Sequence, residues 1–230
     1  MLNFDAFAEQ VATEGATQGN NVLVGRIGKG VTDIRWVVPV DADQNDLGQS
    51  YQDVFVGSGV VGKPSTKMVI YALVAAAPTA EGNKGFYPFG FDGNYEKVQF
   101  EELIAHADKF GRGRRVVALS LPSTLRDALM EAAQAVDDRV TVVNFETGEI
   151  VSVGAVYRLK REGEGQKNTS YSAVAVNRKA DVAAVDALIG VGTKVVPPQE
   201  PLSAVAEKLR ASTAEKLRAS SGGETVKSQF

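Results

Sequence analysis

Cysteine is absent from the 230-residue chain, which excludes disulfides and thiolate-ligated zinc. Histidine occurs once, as His106, so neither a histidine metal centre nor a histidine-based acid–base pair is expected. A reducing, cytoplasmic setting fits both shortages. Long apolar runs are missing as well. The opening MLNFDAFAEQVATEGATQGN has acidic residues, no basic leader and no extended apolar core, so neither a signal peptide nor a membrane anchor is expected. No GxxxxGK[ST] phosphate loop, GxSxG elbow or HExxH pair occurs, and an enzyme is not expected. Asp41, Asp43 and Asp46 lack the glycine and distal glutamate of a calcium loop, so no cofactor or metal is expected. Finally, charge of one sign is not in excess. The 25 basic and 28 acidic residues leave a net charge of -3, which argues against adhesion to nucleic acid by the whole surface. Screening beyond roughly 8 Å leaves local patches to decide.

What is present suits a packed core, since 44% hydrophobic and 23% charged residues can offset the entropy of ordering a chain. Phe4, Phe7, Ala8 and Val11 stand at helical spacing, then a small polar stretch follows. Residues 1–20 are therefore expected to be a helical arm and linker, docked on the parent core or on a neighbouring subunit. From Asn21 the pattern turns to β, and residues 21–190 are expected to form the main domain. VTDIRWVVPV alternates, and TKMVIYALVAAA is apolar enough to be buried on both faces. A helix is expected over 96–110, and another over TLRDALMEAAQAV, capped by Ser123 and burying Leu125, Leu129, Ala132 and Val136. RVTVVNFETGEIVSVGAVYRLKR predicts two strands around Glu146-Thr147-Gly148, TSYSAVAVN predicts the last strand, and DVAAVDALIG predicts a short helix. Residues 191–230 are expected to be linker, helix and flexible tail. AEKLRAS occurs there twice, with Leu209 and Leu217 on nearly one face of a solvated or transiently docked helix.

Chemistry concentrates in two basic clusters and one aromatic segment. Lys109, Arg112, Arg114 and Arg115 lie in one glycine-spaced stretch. Arg158, Lys160, Arg161 and Lys167 are offset only by Glu162 and Glu164. Alternation along a strand puts Arg158 and Lys160 on one face, with Tyr157 and Leu159 on the other. A basic outer face of this kind is what a phosphate backbone needs, although charges simply held in water would look the same. Bases also stack on aromatic rings, at about 1–3 kcal/mol each. Candidate platforms are Trp36, Phe86, Tyr87, Phe89, Tyr171 and the rest of GFYPFGFDGNY, whose glycines and proline predict a loop. Each ring alone is equally at home in a core.

The order from 114 to 177 is a strand, a helix, a strand ending in NFETGE, then YRLKREGEGQKNTSYSAVAV. It resembles the single-stranded-DNA-binding OB-fold proteins of tailed phages, through Gly148, Arg161, Gly163, Gly165, Thr169, Tyr171 and Ser172. VTDIRWVVPV looks like that family's early strand. The resemblance implies an α+β, mainly β fold: an OB-fold-like five-stranded barrel with inserted helices. It also implies a protein that coats single-stranded DNA in replication or recombination, largely without sequence preference. By it, Arg112, Arg114, Arg115, Arg158, Lys160, Arg161 and Lys167 meet phosphates, while Trp36, Phe86, Tyr87, Phe89 and Tyr171 stack bases. Implied partners are single-stranded DNA, further copies of the chain through the arm, and replication or recombination proteins. The zinc found in many relatives cannot be built without cysteine, and no acidic tail is present. The other reading is a virion or assembly protein, in which the arm, the aromatic segment and the repeat are subunit contacts.

Overall fold

The computed structural model describes residues 23–41, 43, 45, 52–56, 65–75, 85–91, 114–163, 169–189, 194–198 and 202–221. The N-terminal arm, the 96–110 helix with His106, and Lys109, Arg112, Lys167 and Gly190 lie outside the described residues.

Among the described residues ten strands form one mixed sheet: β1 (Leu23–Ile27), β2 (Gly30–Val40), β3 (Gln52–Val56), β4 (Ser65–Val74), β5 (Phe86–Phe91), β6 (Val116–Leu121), β7 (Thr141–Asn144), β8 (Ile150–Ser152), β9 (Val156–Glu162) and β10 (Ser170–Ala175). The described residues also include three helices: α1 (Ser123–Gln134), α2 (Lys179–Ile189) and α3 (Leu202–Ser221). The main path runs β10-β9-β2-β4-β6-β1-β5, with β3 beside β4 and the β7–β8 pair beside the far half of β2. The sheet is open. The expected α+β, mainly β class is what the chain adopts, but a closed five-stranded barrel is not.

The centre of the sheet explains why it is stable. Met68 through Val74 on β4 are all buried, because alternate residues serve two cores. Met68, Ile70, Ala72 and Val74 join Ile34, Trp36, Val117, Leu119, Tyr157 and Leu159 on the first face, under Leu125, Leu129 and Ala133 of α1. Val69, Tyr71 and Leu73 join Val37, Val116 and Val156 on the second, under Val185 and Ile189 of α2 and Leu202, Val205 and Ala206 of α3. Each such side chain contributes roughly 1.5–3 kcal/mol of burial, so neither helix face can be left bare without loss.

Several local expectations change. Ser123 is the first helical residue of α1 rather than its cap; Pro122 occupies the N-cap position and no side-chain cap bond forms. The Pro122 backbone is extended, with φ of -64° and ψ of 158°, as an N-cap residue requires. The aromatic segment is not a loop: Phe86–Phe91 pairs antiparallel with β1, with a register shift between Val24 and Gly25. Pro88 is tolerated because β5 ends the strand path and has no described neighbour on its outer side. The run from 141 to 162 makes three strands rather than two, since Val153–Ala155 separates β8 from β9. Gly148 turns β7 into β8 with φ of 73°, and its amide donates to the Asn144 carbonyl at 2.8 Å. A Cβ at Gly148 would strike the Val195 carbonyl, so glycine is required twice over. Leu202, Val205 and Ala206 in the first turns of α3 are buried, and the helix lies over β3 and β4, while Glu207, Lys208, Arg210 and Ala211 of the first repeat are exposed. No described helix is long and apolar enough to cross a membrane.

Candidate nucleic-acid interface

The β9–β10 hairpin faces as its alternation predicts. Tyr157 and Leu159 are fully buried in the first core, and Arg158 and Lys160 point to the second face. Their charges, however, are already engaged. Arg158 sits opposite Asp33 on β2 and donates from Nε and Nη2 to both carboxylate oxygens, each at 2.9 Å. Its Nη1 also lies 3.7 Å from Asp181 of α2. The hydrogen bonds to Asp33 and its charge raise the Arg158 pKa above the ordinary arginine value. Lys160 pairs with Glu162 at 2.7 Å, at an exposed position where such a pair is weak. The outer face of the hairpin is thus a charge-balanced surface, not a basic ribbon.

Arg161 is different. It lies on the first face, directly across from Tyr171 on one side and Gly30 on the other. Its Nε is buried without a hydrogen-bond partner among the described residues, as is the Thr32 hydroxyl on the same face of β2. Thr32 is itself only 1% exposed. Desolvated polar atoms of this kind cost about 1–3 kcal/mol each when nothing completes them. Gly30, with φ of 102°, leaves open space where a side chain would stand. Among the described residues the end of the hairpin therefore carries a guanidinium without a carboxylate, a half-buried tyrosine ring packed on the first core, and room beside them.

The other expected contacts divide sharply. Trp36 and Phe86 are 5% and 2% exposed and belong to the first core, so neither offers a ring face to a base and both are withdrawn as stacking platforms. Phe89 is a β5 residue whose side chain lies outside the described residues. Tyr87 is half-buried, with the Arg26 guanidinium 5.1 Å above its ring. Arg114 is exposed, while burial pushes the Arg115 guanidinium down to about 10, still charged at neutral pH. Arg114 and Arg115 are held beside the Lys194–Pro198 segment: Val196 N–H donates to the Arg114 carbonyl at 2.9 Å, and Arg115 bridges Val196.

Reasoning from the sequence missed Arg35. It is 1% exposed, donates to Asp186 of α2 from Nε at 3.1 Å and from Nη2, and donates from Nη1 to the Gly154 carbonyl. Its alternation with Ile34 and Trp36 in a β run was the available signal, because an arginine inside a buried strand needs a carboxylate. Among the described residues no group of three or more His, Cys, Asp or Glu side chains is arranged to hold a metal ion. No protein-family model, curated protein sequence or solved structure matches the chain.

Proposed function

We propose that the protein binds single-stranded DNA, largely independently of sequence, and coats it during phage replication or recombination. The observation that carries the reading is the buried Arg161 Nε, without a hydrogen-bond partner among the described residues, on the residue directly opposite Tyr171. A strand of nucleic acid supplies what that site lacks: a phosphate oxygen for the guanidinium and a base for the ring.

The fold supports the same reading. The path β10-β9-β2-β4-β6 resembles the order of a five-stranded Greek-key barrel in which β2, β4, β6, β9 and β10 are the first to fifth strands. Helix α1 then falls between the third and fourth, and lies against β4, β9 and β10. In OB-folds of this connectivity, the turn between the last two strands is one of the binding loops. Here that turn follows Arg161. Arg114 is the second candidate for a phosphate, and Arg158 and Lys160 serve the architecture instead.

An assembly role is favoured by one observation, the exposure of Val31 and Val174 at 50% and 56% on the second face. Two measurements separate the readings. Fluorescence anisotropy should show salt-sensitive binding to a labelled single-stranded 30-mer and weak binding to its duplex. Failure to bind either at low salt, together with stable self-association on size-exclusion chromatography, would replace the proposal with the assembly role.

A further inference from the structure

Two cations outside the hairpin share the second face of the sheet. Arg26 on β1 and Lys67 on β4 are exposed residues, and among the described residues neither makes an ion pair. Both point to the second face, since Arg26 alternates with Ile27 and Lys67 with Met68, which belong to the first core. Strand register sets them on the same stretch of that face, with β6 between their strands. Gly25 pairs with Leu119, which sets Arg26 level with Ser120; Ser120 pairs with Val69, two residues along the same face from Lys67. Crowding by surrounding protein, and then the positive charge of Arg26, hold the Lys67 amine below the ordinary lysine range.

Like charges that share one face of a sheet repel each other, and an anion between them relieves the repulsion. The Tyr87 ring adds direction. The Arg26 guanidinium lies 5.1 Å from the centroid of that ring, which holds the cation in place while its N–H groups still call for an acceptor. Guanidinium forks match the oxygens of a phosphate, and a lysine ammonium serves it as a point charge.

We infer that Arg26 and Lys67, with Tyr87 orienting Arg26, form a second phosphate-binding station that takes a phosphodiester of the nucleic-acid strand. It lies on the opposite face of the sheet from Arg161. The inference rests on the proposed single-strand binding, but its chemistry can be tested apart from it. A free phosphate offers the same oxygens as a phosphodiester, so both are used as probes.

The first arm measures the salt dependence of binding to a dT30 oligonucleotide for the wild type and for Arg26→Ala, Lys67→Ala and Lys67→Glu. Loss of one phosphate contact lowers the slope of log K against log salt by about 0.7 for a single strand. We expect that loss for each alanine variant, a larger loss of affinity for Lys67→Glu, and retention of the slope in Arg26→Lys. Unchanged slopes in correctly folded variants, beside a weakened Arg161→Ala, would overturn this station and leave the proposed function standing. If the wild type binds no oligonucleotide, the proposed function fails instead. The second arm then decides: inorganic phosphate titrated into the full chain should shift the Lys67 side-chain NMR resonances saturably, and not in Arg26→Ala. Absence of that shift overturns the station whichever way the first arm falls.

Discussion

Tyr157 and Arg161, four residues apart on one strand face, have opposite fates. Tyr157 is fully buried and its hydroxyl donates to the Arg139 carbonyl at 2.8 Å, so its polar atom is satisfied inside the protein. Burial pushes its phenol up to about 12 from 10.0, against a smaller opposing effect of Arg139. The folded protein therefore keeps a proton that the unfolded chain releases. This contribution is complete below about pH 10 and is lost as pH rises through 12; a two-unit shift is worth on the order of 2–3 kcal/mol. Comparing urea midpoints of the wild type and Tyr157→Phe from pH 9 to 12 checks it. The wild type should lose stability more steeply over that range, and parallel curves would show that the hydroxyl is not held as described. Arg161 has no such partner, which is why it is read as a ligand contact and Tyr157 as structure.

At the scale of elements, α2 is bound to the sheet by charge as well as by Val185 and Ile189. Asp186 meets buried Arg35, and Asp181 lies beside the Arg158–Asp33 pair. Replacing Asp186 by Ala leaves Arg35 buried without its carboxylate. Removing one partner of a buried pair costs about 3–5 kcal/mol, and the partial exposure of Asp186 places this case at the lower end. Chemical denaturation of Asp186→Ala should show that loss; a change below about 1 kcal/mol would mean that water reaches Arg35 and replaces the aspartate. These contacts also mark how far the sequence could be read. The two-faced burial of β4, the α1 stripe and the alternation of β9 were legible because each depends on spacing within one segment. The neutralised hairpin was not. Asp33 and Arg158 are 125 positions apart, and only strand register makes them neighbours. The strand nature of Phe86–Phe91 was hidden for a similar reason: glycine and proline disfavour a strand locally, and pairing with β1 at the end of the sheet path overrides them.

For the whole molecule, strand register decides which charges meet, so net charge says little about where an anion binds. Among the described residues Arg158, Lys160 and Arg126 are paired with carboxylates, whereas Arg161 carries a buried Nε without a hydrogen-bond partner beside Tyr171 and Arg26 lies over the Tyr87 ring. The central claim is that the free cation at the hairpin, not its better-placed-looking neighbour Arg158, meets the phosphate backbone. The measurement that tests it most directly is the salt dependence of binding to a single-stranded 30-mer, compared for the wild type, Arg161→Ala and Arg158→Ala. The expected result is a slope reduced by about 0.7 for Arg161→Ala, the value of one single-strand phosphate contact, and an unchanged slope for Arg158→Ala. The reverse pattern, with the slope lost in Arg158→Ala and kept in Arg161→Ala, would contradict it.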